Sequence, residues 1–177
     1  MTAENFEVSF DHMIKSEGGY VNNPFDKGGR TNWGVTQATW ESWIRHPVGE
    51  PEMRNLTIED VKPLYKAKYW NLIRGDELPS GVDYAVFDVA VNSGVARAIR
   101  FLQLGLGIMA DGVIGTITMK HANTMPADDL IRAICQERRE YLQRLGNFDK
   151  FGKGWLLRVG RVEKTALEMT DVNGTIS

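Results

Sequence analysis

The chain has 177 residues, 42% of them hydrophobic and 25% charged, with a formal net charge of −2. That length and balance predict one domain, or one with a small appendage, able to bury a core, with no general attraction for nucleic acid or an anionic membrane. Cys135 is the only cysteine, and His12, His46 and His121 show no ligand spacing, so no disulfide, metal site or cofactor is expected. The first helix is predicted over residues 4–17. Phe6, Phe10, Met13 and Ile14 recur at helical spacing, and Glu17 continues their stripe. A glutamate on the buried side of a last turn would have its pKa raised by desolvation and could act as a general acid near neutral pH. Gly18-Gly19 then stops the helix.

Asn22-Asn23-Pro24 and Asp26-Lys27-Gly28-Gly29 read as turns. Around them, Tyr20-Val21 and Thr31 to Val35 read as two short strands of a hairpin or ribbon that must lean on helices. Thr36 is placed to cap a helix carrying Trp40, Trp43 and Ile44 on one face. Pro47 and Gly49-Glu50-Pro51 read as a loop. Thr57 and Asp60 form a capping box ahead of Val61, Leu64 and Tyr65, with Pro63 early enough to bend the helix rather than abolish it.

Residues 82–91 are nearly all apolar and predict a buried central helix ending at Asn92-Ser93-Gly94. Asp88 lies inside it and needs a partner, with Arg97 and Arg100 the nearest candidates. Trp70 reads as core. Helices follow over 96–105, over 127–145 and from Trp155 to Leu167, with a loop at Asp111-Gly112-Val113-Ile114-Gly115, Thr116 to Met119 after it and a fraying end over 171–177. The fold class is therefore mostly α (α+β), helices around a small β-ribbon near the N-terminus. The expected division is residues 1–94 and a helical part over 95–177 packed on it, without a linker.

Two carboxylates, one shielded and one in a polar turn, are the equipment for glycosidic hydrolysis, one protonating the leaving oxygen while the other stays ionised. Glu17 fits the first role and Asp26 the second. By themselves the two also fit a last-turn residue and a turn former. Tyr20 and Trp33 offer aromatic platforms for sugars, or pack the ribbon on the body. Asn92 could bond an acetamido group, or cap its helix with Gly94.

Glu17-Gly18-Gly19-Tyr20, Asn23-Pro24, Asp26-Lys27-Gly28-Gly29, Thr31-Asn32-Trp33-Gly34-Val35-Thr36 and Phe87 to Gly94 together resemble the glycoside hydrolase family 108 lysozymes. These are phage endolysins and related bacterial muramidases of lysozyme-like fold. Leu102 to Gly105, Asp111 to Gly115 and Phe151 to Trp155 resemble that family's peptidoglycan-binding segment. The resemblance implies hydrolysis of the β-1,4 bond between N-acetylmuramic acid and N-acetylglucosamine, with Glu17 as general acid and Asp26 as second carboxylate. It also implies a threonine that holds the attacking water. Thr31 is preferred to Thr36 for this role. Tyr20, Asn23, Trp33, Thr36 and Asn92 are then the substrate-binding candidates. The implied partner is peptidoglycan glycan strands, bound by a monomer with no nucleic acid and no stable membrane insertion. Residues 1–7 contain no signal-peptide pattern and no run approaches the ~18 apolar residues of a membrane span. The expectation is synthesis in the host cytoplasm and action on the wall after release or export. The alternatives are a lytic transglycosylase, which needs one acid only, and a non-catalytic wall-binding or virion protein.

Overall fold

A computed structural model describes residues 3–25 and 29–174. In chain order its elements are α1 (Ala3–Ile14), β1 (Val21–Asn22), β2 (Arg30–Asn32), β3 (Val35–Thr36), α2 (Gln37–Ile44), α3 (Glu50–Arg54), α4 (Ile58–Tyr65), α5 (Val82–Ser93), α6 (Val95–Leu106), α7 (Thr116–Ala122), α8 (Ala127–Gln143) and α9 (Phe148–Gly174). The expected class, mostly helical with a small N-terminal ribbon, is the one the chain adopts. Its residues form two compact units, Phe10–Lys68 and Met1–Ser9 with Tyr69–Ser177.

In the Phe10–Lys68 unit the ribbon is an antiparallel sheet in the order β1-β2-β3, pairing Val21 with Thr31, Thr31 with Thr36, and Asn32 with Val35. The run expected as one strand breaks in two because Trp33 and Gly34 both take left-handed φ, +51° and +77°. Two consecutive positive-φ residues make the two-residue hairpin turn whose twist matches paired strands. A bulky residue is strained there, at about 1–3 kcal/mol, so its surroundings must hold it. The Trp33 indole N–H donates to the Leu56 carbonyl (3.0 Å), and its own carbonyl accepts from the Tyr65 hydroxyl (2.8 Å).

Directly paired residues share a face of a sheet, so Asn32 and Val35 lie on one side and Val21, Thr31 and Thr36 on the other. Asn32 and Val35 are buried. The Asn32 side-chain amide donates to the Met53 carbonyl of α3 (2.9 Å). The expected loop at Gly49-Glu50-Pro51 is thus the start of a short helix. Pro51 is tolerated because a first-turn residue has no carbonyl for its missing N–H, and the Glu52 carboxylate accepts the Gly49 N–H (2.9 Å). The two expected caps are present. Thr36 Oγ1 accepts from the Thr39 N–H (3.2 Å), and Thr57 and Asp60 exchange bonds of 3.2 and 2.9 Å. Pro63 lies inside α4 without ending it, and a π-helical turn, Lys66–Trp70, follows.

The other unit is built around α5, whose residues from Val82 to Ala90 are all buried. Phe6, Trp70 and Phe87 meet edge to face at 5.4–6.0 Å, and Trp70, fully buried as core, donates its indole N–H to Asp76. Asp88 does not pair with Arg97 or Arg100. It accepts from Arg138 of α8 (2.8 Å) and twice from Arg158 of α9 (3.1 and 3.0 Å). Local helix spacing suggested the nearer arginines, but Asp88 is buried, and α8 and α9, which pack on α5, supply its partners. Burial pushes the Asp88 carboxyl pKa up, and the two guanidiniums outweigh that and hold it below the usual carboxylate range.

Helix α9 exceeds its expected length at both ends. It runs through Gly152 and Gly154, and Gly152 lets the Phe148 ring lie against the backbone where a Cβ would collide. Residues 171–174, expected to fray, are helical, and 175–177 lie outside the described residues. The loop at Asp111 closes on Gln103, which is buried and bonds Asp111, Val113, Thr118 and the Gly112 N–H.

Candidate active site

Helix α1 ends at Ile14, one turn earlier than the apolar stripe suggested. Glu17 therefore follows the helix instead of closing it, and its N–H donates to the Ile14 carbonyl (3.1 Å). The side chain is half-buried. It lies close to the hairpin turn. A Cβ added at Gly34 would stand 2.5 Å from the Tyr65 hydroxyl oxygen and 2.8 Å from Glu17 Oε2. Glu17 and Tyr65 thus converge on the one α-carbon of the turn that carries no side chain. Gly34 is required there twice, by its φ and by this approach.

Gly34→Ala is expected to destabilise the unit by about 1–3 kcal/mol and to displace the Glu17 carboxylate, lowering any turnover that depends on it. Thermal melting and a turbidity assay read the two effects. Wild-type values in both would contradict this role for Gly34. Tyr65 was legible in the sequence only as a core residue. The one cue was a tyrosine, with its polar tip, at a buried helical position where phenylalanine would pack as well.

Thr31 and Thr36 are direct cross-strand partners on the same face, both half-buried. The Thr36 hydroxyl is engaged, accepting from the Thr39 N–H and donating to Thr39 Oγ1 (2.9 Å). Tyr20 is half-buried, and the Arg54 guanidinium lies over one face of its ring at 4.3 Å. Asn23 is exposed, and its side-chain oxygen accepts from the Phe25 N–H (3.0 Å), setting the turn after β1. Asp26 lies outside the described residues. Asn92 belongs to the other unit. It is exposed at the end of α5, its side-chain oxygen accepts from Arg138 (3.2 Å), and Gly94, φ +98°, caps the helix. Neither Gly18 nor Gly19 is crowded or takes a left-handed φ, so nothing in the fold requires glycine there. Among the described residues no three His, Cys, Asp or Glu side chains gather as metal ligands, and no helix is long and apolar enough to cross a membrane.

A glutamate delivered just past the first helix, beneath the turn of a small antiparallel ribbon, is the layout of a lysozyme-type glycoside hydrolase. The chain belongs to the glycosyl hydrolase 108 family, whose sequence model, described as "Glycosyl hydrolase 108", matches residues 10–94. Over nearly its whole length it is similar to the protein in "Structure of Brucella abortus SagA". The two are 42% identical, 96% of this chain and 97% of that one are covered, and the TM-score is 0.83. No curated protein matches. The chain is thus a glycosidase of the peptidoglycan-hydrolysing kind.

Proposed function

We propose that this glycosidase is an endolysin-type muramidase that hydrolyses the β-1,4 bond between N-acetylmuramic acid and N-acetylglucosamine. The observation that carries the reading is the Glu17 carboxylate held against Gly34 beside Tyr65. Glu17 gives its proton to the glycosidic oxygen as the sugar C1–O bond breaks. Asp26 stays ionised and balances the positive charge developing at C1, and water attacks C1 and returns a proton to the enzyme. Thr31 positions that water. In support, the Thr36 hydroxyl on the same face is already occupied in capping α2. The uncrowded Gly18-Gly19 backbone leaves room for a glycan chain next to the acid.

Tyr20, with Arg54 over its ring, is the aromatic platform for a sugar, and Trp33 and Asn23 border the same ribbon. The Asn92 amide nitrogen is the donor for an acetamido carbonyl, its oxygen being held by Arg138. Residues 95–177 serve as the wall-binding part. A groove of about 490 Å³ beside Gln103, edged by exposed Met109, Val113 and Ile117, supports that role. The enzyme works as a monomer without cofactor and reaches the wall from the cytoplasm of a phage-infected host.

Mass spectrometry of muropeptides from digested peptidoglycan tests the reaction. Hydrated muramic acid reducing ends are expected. Anhydro ends would replace hydrolysis by transglycosylation, and pull-down on the wall without any product would leave a binding protein. The threonine assignment is tested separately. Thr31→Val is expected to lower turnover by about 10²-fold at unchanged stability. Thr36→Val should lower stability by about 1 kcal/mol with turnover nearly kept. The reverse pattern would transfer the water-holding role to Thr36.

A further inference from the structure

Helix α9 carries one outward stripe made by Lys150, Lys153, Leu157, Arg161 and Lys164. The steps between them are three, four, four and three residues, so the five lie one above another along the helix. All five are exposed, while Val159, Val162 and Ala166 bury the opposite side. At 1.5 Å per residue the stripe is roughly 21 Å long. It holds four cations and no carboxylate. None of the four makes an ion pair among the described residues. The carboxylates of α9 are elsewhere. Glu163 is bonded to Arg139 (2.8 Å), Asp149 precedes the stripe, and Glu168 and Asp171 follow it.

Residues 144–164 carry six cations against two carboxylates, although the chain as a whole has a net charge of −2. A single exposed lysine is ordinary, but several cations in register and unneutralised attract a polyanion over about a Debye length, ~8–10 Å. The apolar residues decide which polyanion. Leu157, at the centre of the stripe, is 61% exposed. Phe151, stacked on Trp155 at 5.9 Å and with the Lys150 ammonium 5.1 Å from its ring centre, is 45% exposed. A soluble phosphate polymer offers these two side chains nothing apolar. A bilayer surface offers phosphates to the cations and hydrocarbon just beneath them.

We propose that this stripe of α9 docks the protein on an anionic phospholipid membrane. The four cations lie at the phosphates, and Leu157 and Phe151 reach the boundary with the acyl chains. The docking is peripheral, as no helix among the described residues is long and apolar enough to cross. Each cation held near such a surface strengthens binding about fivefold, so the association is reversible and weakens as salt rises. It does not depend on the reaction at Glu17.

The test is co-sedimentation of the full chain with vesicles. Binding is expected to equal parts of phosphatidylglycerol and phosphatidylcholine at about 25 mM salt, falling tenfold or more at about 300 mM, with little or none to phosphatidylcholine alone. Lys153→Gln combined with Lys164→Gln should weaken binding about twentyfold. Lys68→Gln combined with Lys120→Gln removes the same charge from exposed positions elsewhere and should change it less than about twofold. Leu157→Ser should weaken vesicle binding about threefold. Soluble poly(glycerol phosphate) at the same phosphate concentration should bind more weakly and be indifferent to Leu157→Ser. Circular dichroism checks that each variant is folded, as exposed positions allow. No binding to the anionic vesicles, or equal losses from the two lysine pairs, would overturn the proposal. Full vesicle affinity in Leu157→Ser, or polymer bound as tightly as vesicles, would make this a surface for anionic polymers and overturn the membrane assignment.

Discussion

Glu17→Gln is expected to lower turnover of purified peptidoglycan by about 10²–10⁴-fold, the contribution of a positioned general acid. Glutamine has the shape of the acid and keeps an oxygen for the contacts around Gly34 and Tyr65, but it has no proton to deliver to the departing sugar oxygen. Because the residue is half-buried beyond the end of α1 and contributes little to the core, the melting temperature should move by no more than about 2 °C. Turbidity clearing and reducing-end release measure the first effect, and thermal melting the second. A variant that still lyses at the wild-type rate would remove Glu17 from the mechanism. A variant that loses activity only because it melts earlier would give Glu17 a structural role instead. Gly34→Ala separates these outcomes further, since it disturbs the position of the carboxylate and leaves its chemistry intact.

The largest stability effect is expected at Asp88. This carboxylate is fully buried and holds Arg138, itself 2% exposed, and Arg158 from two other helices. A buried ion pair adds little over a well-packed hydrophobic replacement, yet removing one member strands the others, typically at a cost of about 3–5 kcal/mol. Asp88→Asn should therefore lower the melting temperature by about 10 °C. The sign with pH follows from the direction of the shift. The folded-state pKa lies below that of the unfolded chain. The stabilisation is accordingly complete above the unfolded value, about 3.9, and is lost as the pH falls through the folded value. The difference between wild type and variant should thus be constant near neutrality and shrink in strong acid. Equal melting temperatures at pH 7 would show that the helices are held by their apolar contacts alone. A triple replacement of Asp88, Arg138 and Arg158 by apolar residues should recover much of the loss.

The sequence by itself determined several features that depend on neighbours within about four residues. The Thr36 cap and the Thr57–Asp60 box follow from the hydrogen-bonding reach of short polar side chains, and both are present. The buried stripe of α8 and the nearly all-apolar α5 follow from helical periodicity, and the glutamate and glycines after α1 stood out as a candidate site through their resemblance to a family. Local punctuation also misled. Gly49-Glu50-Pro51 resembles a loop, because glycine and proline are tolerated at a helix start for the same reasons that they break a helix interior. Trp33-Gly34 resembles strand, because nothing local reveals that tryptophan takes a left-handed φ.

Only the tertiary structure decided which distant groups meet. Asp88 is bonded 50 and 70 residues along the chain, where no periodicity points. Trp33 is held in its strained turn by Leu56 and Tyr65, and that turn brings Gly34 to the Glu17 carboxylate. The reason is common to all of these. A buried polar group is satisfied by whatever the packing of distant segments places beside it, and that placement is a property of the folded chain as a whole.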